Sequence, residues 1–262
     1  MEILVCIKQV PGTAKVEVDE NTGVLKRDGV ESKMNPYDLY ALETAIRIKE
    51  KLGGNITVVT MGPPQAKTII KEAFMMGADN GYIFSDRKFA GSDVLATAYT
   101  LSQGIKTIGN FDLVICGKQT TDGDTSQVGP ALAEYLEIPH VTWVSTIEEI
   151  DEEKIVVEQD MADSTEVAEI HYPCLITVEK GIYQPRLPSY RRKMQTADRS
   201  IHILCFTDFP DQEEKNYGIS GSATHVERIF PPESNNSHVL WEGEANKLSE
   251  NILNMIKKLK FI

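Results

Sequence analysis

Four hydroxyl residues, Thr120, Thr121, Thr125 and Ser126, and two carboxylates, Asp122 and Asp124, fall in one run, Gly117-Lys-Gln-Thr-Thr-Asp-Gly-Asp-Thr-Ser-Gln-Val-Gly129. The run follows an apolar strand pattern, Leu113–Cys116, and leads into a helical pattern, Ala131–Leu136. A strand that breaks at glycine and re-enters through a helix start leaves backbone N–H groups open, and the helix dipole favours negative charge there. That chemistry suits a phosphate or a ribose. The run is not a Walker A loop, because no Gly-Lys-Ser/Thr follows four residues after a first glycine, and it is not the Gly-x-Gly-x-x-Gly fingerprint. Asp122 and Asp124 would repel a bare phosphate unless they cap the helix or hold a ribose hydroxyl. A polar turn that binds nothing is the plainer alternative.

The elements before this run must position it. Ile3-Leu-Val-Cys-Ile7 reads as a strand covered on both faces. A hairpin is expected over Lys15–Asp19 and Val24–Arg27, turning on Asn21-Thr-Gly23. Asn35-Pro36 starts a helix with Asn35 as N-cap, and Gly53-Gly54 ends it. A second strand, Ile56–Thr60, stops at Met61-Gly-Pro-Pro64, and a helix follows to Gly77. Tyr82–Phe84 makes a third strand, and a helix capped by Ser92 carries Val94, Ala98, Leu101, Ile105 and Ile108 on one face. This alternation predicts an α/β fold with a doubly wound, mostly parallel sheet, Rossmann-like, with ligands beyond the strand carboxyl ends. Lys8–Pro11, Thr60–Pro64, Asp86–Asp93 and Gly117–Gln127 all follow strands.

Val141–Ile150, Ile155–Gln159, Thr165–Ile170 and Cys174–Val178 read as further strands, extending the sheet or forming an antiparallel layer. Lys180–Arg199 places Arg186, Arg191, Arg192, Lys193 and Arg199 among Leu187, Pro188 and Tyr190, either a solvated loop or an exposed docking loop. Pro210–His238 is turn-rich and is expected to wrap a surface or reach a partner, and Leu248, Ile252, Met255 and Leu259 mark a final amphipathic helix.

A net charge of −12 argues against a general nucleic-acid or anionic-membrane binder. No window approaches the roughly 18 apolar residues of a membrane span, and no signal-peptide pattern opens the chain, so a cytoplasmic location is expected. Cys6, Cys116, Cys174 and Cys205 are far apart in apolar runs, which fits buried free thiols; with scattered histidines, no metal site is expected.

Lys8-Gln-Val-Pro11, Met34-Asn-Pro-Tyr-Asp38 with Ala41-Leu-Glu43, Thr60-Met-Gly-Pro63, Gly77-Ala-Asp79, Gly117–Gly129 and Arg186–Met194 stand in this order and spacing. On them the chain resembles the β subunit of an electron-transfer flavoprotein along nearly its whole length. The resemblance implies an α-subunit partner carrying an electron-shuttling FAD, and in this chain either a structural AMP or, in the electron-bifurcating branch, a second FAD. It puts the nucleotide against Cys6, Asn35, Tyr37 and Asp38, against Thr60, Met61 and Gly62, and against Gly117, Thr120, Gly123, Asp124, Thr125, Ser126, Gln127 and Val128. Asp124–Val128 would lie on the pyrophosphate side through N–H groups and the Thr125 and Ser126 hydroxyls.

The run Ser85-Asp-Arg-Lys-Phe-Ala-Gly-Ser-Asp93, with Thr97, resembles the bifurcating branch. There the small Ala90-Gly91 pair would let a flat ring approach, Phe89 would offer an aromatic face, and Arg87 would pair with a flavin pyrophosphate or an incoming nucleotide; Asp93 and Thr97 complete the implied set. A capped helix start with a packed phenylalanine is the alternative. The resemblance further implies NADH as donor, ferredoxin or flavodoxin as low-potential acceptor, and a flavin-dependent dehydrogenase docked through Leu187, Tyr190 and Arg191. The family's docking loop is usually aliphatic near Tyr190 and less basic, so the dehydrogenase stays open. No general acid or base is expected, since the flavin carries the chemistry. Domains are expected at 1–200, containing the docking loop 185–194, and at 201–262, an extension packing on the α subunit. An ATP-using ligase of the same sheet type is disfavoured by the lack of a phosphate-lysine motif.

Overall fold

The computed structural model describes residues 1–12, 32–227 and 238–261. Ile3, Leu4 and Val5 are fully buried in β1 (Glu2–Cys6), as the near-continuous apolar run requires of a strand covered on both faces. Two short strands follow, β2 (Gln9–Pro11) and β3 (Ser32–Met34), paired antiparallel. The expected hairpin over Lys15–Asp19 and Val24–Arg27 lies outside the described residues. Next come α1 (Pro36–Leu52), β4 (Asn55–Met61), α2 (Lys67–Met76), β5 (Asn80–Phe84), α3 (Val94–Ile108), β6 (Leu113–Gly117) and α4 (Val128–Leu136). The helix α1 ends where Gly53 takes φ 75°, a conformation open to glycine.

β1, β4, β5 and β6 pair in parallel, in the order β5-β4-β1-β6. Ile3, Val5 and Val58 pack under Leu42 and Ile46 of α1 and Ile70 and Phe74 of α2. On the other face Leu4, Val59 and Val114 pack under Ala98, Leu101 and Ile105 of α3 and Leu132 of α4. Helices therefore cover both faces, and the sheet is doubly wound.

The later strands extend this sheet. β7 (His140–Ile150), β8 (Lys154–Asp160) and β9 (Thr165–His171) form an antiparallel run, and β10 (Cys174–Val178) slots in parallel between β6 and β7. The helix α5 (Tyr190–Gln195) follows. Then β11 (His202–Leu204) pairs in parallel with β5, completing a nine-stranded sheet among the described residues. Phe206, Phe209 and Tyr217 are buried beside α3, and a single turn, α6 (Gly218–Gly221), follows. Residues 1–227 form one compact unit, so its boundary lies beyond the residue 200 drawn from sequence; β11 and the three aromatics bind 201–227 to the sheet. The second unit, 228–262, contains α7 (Ala245–Lys258), where Leu248 and Met255 are half-buried and Ile252 is exposed.

Two boundaries differ from expectation. The helix α4 begins at Val128 rather than Ala131, since Pro130 sits in the first turn, where its missing N–H has no helical partner to lose. Asp93, not Ser92, caps α3: its Oδ1 accepts from the Ala96 N–H at 3.0 Å, while the Ser92 hydroxyl donates to the Phe89 carbonyl at 2.8 Å.

Candidate nucleotide-binding site

After β1 the chain winds outward through β4 and β5, then crosses back to β6 on the other side of β1. The connections beyond β1 and β6 therefore part, and a crevice opens at their carboxyl ends, the switch point where such sheets bind ligands. Cys6 and Cys116 face each other in register on its floor. Cys116 and then burial push the Cys6 thiol up, which keeps it neutral. Beside it Asp38 is buried and accepts from the Lys8 N–H at 2.7 Å and the Asn35 side-chain amide at 2.8 Å. Burial pushes its carboxyl up to about 7. Gly117 leaves the sheet directly over this carboxyl: a Cβ there would come 2.6 Å from Asp38 Oδ1.

Asn35 precedes α1, as expected of an N-cap, but its side chain does not cap the helix. Its Nδ2 donates to Asp38 Oδ1 and, at 2.9 Å, to the Gln119 carbonyl, while its Oδ1 accepts from the Thr121 N–H at 3.2 Å. Both amide hydrogens are consumed, so Asn35 holds the 117–127 loop in place and has no donor left for a nucleotide. Asp122 is held by Lys8, whose Nζ lies 2.8 Å from both carboxylate oxygens. Burial would raise the Asp122 carboxyl, but Lys8 outweighs it and holds it below the usual range. Gln119 donates to Asp124 Oδ1 and accepts from the Ser126 hydroxyl at 2.9 Å. Neither aspartate side chain caps α4. Lys8 offsets the charge of Asp122 and so lessens the repulsion expected for a bare phosphate, while Asp124 is positioned by the neutral Gln119 amide.

Gln119 also locks an unusual backbone. Asp124 and Ser126 take φ 52° and 56°, left-handed values that branched residues avoid. Alternating left-handed residues turn successive N–H groups toward one concavity, an anion nest. The N–H groups of Thr125, Ser126, Gln127, Val128 and Gly129 make no hydrogen bond to another described residue. Together with the α4 N-terminus they form a donor array suited to a phosphate. Thr120 contributes its carbonyl, which accepts from the Asp124 N–H at 2.9 Å and closes the turn through Gly123.

Across the crevice, Thr60, the last but one residue of β4, has a buried hydroxyl with no partner among the described residues. Met61 is half-buried against the α3 side, and the Gly62 N–H donates to the Phe84 carbonyl at 3.1 Å. Tyr37 is half-buried in the first turn of α1, next to Gly117.

The segment after β5 forms a second group, with no hydrogen bond to the loop among the described residues. Arg87 is exposed and makes no ion pair with a described residue. Phe89 is buried: it stacks on Phe209 with centroids 5.2 Å apart and rings 10° from parallel, and it packs on Tyr217. Its face is therefore covered, which corrects the expectation that it is open to a flat ring. Gly91 has φ 74°, and a Cβ there would sit 2.5 Å from Ile219 Cγ1, so in this structure Ile219 occupies the approach. Burial would raise the Asp93 carboxyl, but donors from Ala96 and from Thr224 hold it below the usual range. Thr97 is half-buried on α3, one turn further on.

Of the docking residues, Leu187 and Tyr190 are 87% and 74% exposed and Arg191 is exposed as well. Lys8 and Gln119 are the site-building residues that sequence reasoning missed. Both lie in the quoted motifs, but the Lys8–Asp122 pair spans 114 positions and no local pattern reveals it.

A doubly wound sheet with a switch-point crevice and a donor-rich loop beside it defines a Rossmann-like α/β domain. The family described as Electron transfer flavoprotein domain matches residues 22–202. The β subunit of the electron transfer flavoprotein of Thermoanaerobacterium thermosaccharolyticum is 41% identical over 253 residues, covering 97% of this chain and 96% of that one. Subunit CarD of the caffeyl-CoA reductase–Etf complex of Acetobacterium woodii is 40% identical over 264 residues and covers 100% of both chains. Protein FixA of Azotobacter vinelandii is 40% identical over 237 residues, covering 88% and 84%. The chain belongs to the electron-transfer flavoprotein family, as a β subunit, and so has an α subunit as its partner. No helix among the described residues is long and apolar enough to cross a membrane.

Proposed function

We propose that this β subunit binds FAD in the crevice between β1 and β6 and belongs to the electron-bifurcating branch. The carrying observation is the unpaired N–H array of Thr125–Gly129, fixed by Gln119 and Asn35. It fits a pyrophosphate, and the orphaned Thr60 hydroxyl and unpaired Arg87 offer further polar contacts. FAD bound there would take a hydride from NADH and divide its electrons between the α-subunit FAD and ferredoxin or flavodoxin. This chain's residues bind and orient: the loop N–H groups of Thr125–Gly129 would grip the phosphates, the Ser126 hydroxyl being spent on Gln119, and the neutral Cys6 and Met61 give an apolar floor. Arg87 supplies positive charge beyond the nest. The resemblance of Ser85–Asp93 and Thr97 to the bifurcating branch supports FAD over AMP. The CarD relative belongs to a caffeyl-CoA reductase–Etf complex, which fits a flavin-dependent dehydrogenase as partner. The C-terminal extension expected at 201–262 is assigned to the α-subunit contact, and the assembly to the cytoplasm.

A second reading, structural AMP in the same nest, is favoured by two observations: the covered face of Phe89 and the approach of Ile219 to Gly91. Acid extraction of the purified heterodimer, with chromatography of the released nucleotides, separates the two. FAD from both subunits, no AMP and bleaching by NADH supports the first reading. FAD from the α subunit alone, with AMP released, establishes the second.

A further inference from the structure

The basic run expected to face a partner is not uniformly free. Arg186 forks between two carboxylates of α1. Its Nε and Nη2 donate to Glu43 at 2.8 and 3.1 Å, and its Nη1 and Nη2 donate to Glu50 at 2.6 and 3.2 Å. Its backbone N–H adds a bond to Glu43 at 3.1 Å. The Glu43 side chain is only 2% exposed, and Arg47 donates to it from one turn along the helix at 2.9 Å. Such a planar fork fixes position as well as charge.

Arg199 closes the far end of the run, donating to the Ala78 carbonyl at 2.6 Å with its guanidinium 5.1 Å from the Phe74 ring centroid. Between these ends the Ser189 N–H donates to the Met75 carbonyl at 3.1 Å. The segment so pinned presents Leu187, Tyr190 and Met194, all more than half exposed, with Arg191 and Lys193 exposed beside them.

We propose that Arg186 is the positioning residue of the docking segment. Clamped by Glu43 and Glu50, it fixes the presentation of Leu187, Tyr190 and Arg191, and its own charge, already matched within the chain, adds nothing to the partner contact. This rests on the docking reading of the segment. Arg191 and Lys193 carry the electrostatic part of recognition, and Arg186 and Arg199 carry the geometry. A further consequence is that α1 serves both ends of the molecule's work, since its first turn builds the crevice through Asn35 and Asp38.

The test uses the purified heterodimer carrying Arg186→Lys, Glu50→Gln, Arg191→Ala, or the pair Arg186→Met with Glu43→Met. The paired change removes the clamp without stranding a buried carboxylate. Amide hydrogen exchange is followed over 186–195, with β1 and β6 as internal control. Arg186→Lys and the paired variant should speed exchange in 186–195 about ten-fold while the strands stay protected; Glu50→Gln should give a smaller rise, and Arg191→Ala none. Unchanged exchange over 186–195 in both clamp variants overturns the proposal. Electron delivery to a flavin-dependent dehydrogenase first shown to accept electrons from the wild-type heterodimer is then measured against salt. Arg191→Ala should flatten the salt dependence, whereas the paired variant should raise KM and keep the wild-type slope. A flattened slope in the paired variant overturns the charge assignment. A loosened segment with unaltered electron delivery would uphold the anchor and remove the docking reading beneath it.

Discussion

The side-chain amide of Asn35 reaches the main-chain carbonyl of Gln119 at 2.9 Å across 84 positions of sequence. That bond and its companion to Thr121 make the start of α1 the support of the 117–127 loop. Asn35→Ala strands both loop groups, each bond contributing about 1 kcal/mol. The expected result is a stability loss of about 2–3 kcal/mol, with reduced nucleotide content. Urea unfolding and nucleotide assay on the same preparation check it. Full nucleotide retention would show that the loop keeps its shape unaided.

Gln119 holds Asp124 and Ser126 in left-handed backbone that costs each about 1–2 kcal/mol. Gln119→Leu should therefore release the loop and speed nucleotide dissociation about ten-fold. Adding Asp124→Gly, which adopts the same φ without strain, should recover part of the loss. No recovery would place the role of Gln119 in direct ligand contact instead.

Asp38 gives a pH signature. Its folded carboxyl titrates near 7, above the ordinary unfolded value, so between about pH 4 and 7 the folded state retains a proton that the unfolded state has lost. Stability must fall as pH rises through that window and level off above it. The slope reaches about 1.4 kcal/mol per pH unit for one fully retained proton. Asp38→Asn removes this contribution, so wild type should lose stability relative to the variant from pH 5 to pH 8. Parallel pH profiles in urea unfolding that do not converge or cross would assign the site another titrating group.

Arg87 and Phe89 are close in sequence and should fail differently. Arg87 is exposed and unpaired among the described residues, so Arg87→Ala should lower FAD retention and leave unfolding within about 0.5 kcal/mol of wild type. Phe89 is packed on Phe209 and Tyr217, so Phe89→Ala should cost about 3–5 kcal/mol. Unchanged flavin content and NADH oxidation in Arg87→Ala would take that residue out of the site.

The parallel sheet was legible because Ile3–Ile7 and Leu113–Cys116 are uninterrupted apolar runs of a length only buried strands need. The α3 stripe was equally clear, since Val94, Ala98, Leu101 and Ile105 repeat at helical spacing. The Gly117–Gly129 loop could be read as an anion cradle from its composition and its place after a strand. What offsets the charge of Asp122 could not, because Lys8 is contributed by β1's own exit. Ser92 and Asp93 are both competent caps, and only the Phe89 carbonyl, which takes the serine hydroxyl, decides between them. Phe89 looked available because its cover, Phe209 and Tyr217, arrives 120 or more positions later. Arg186 read as surface charge for the same reason: Glu43 lies 143 positions away.

The crevice also has a place in time. β1 pairs with β6 at Ile3 and Leu113, so its walls come from segments separated by more than a hundred residues, whereas β7, β8 and β9 need only neighbouring hairpins. Distant pairings form late, after the entropy of closing a long loop has been met. A full-length chain refolding from the unfolded state can therefore build its antiparallel ribbon early yet has no crevice until β6 docks. Under the proposed function, nucleotide capture would therefore report that β6 has docked beside β1.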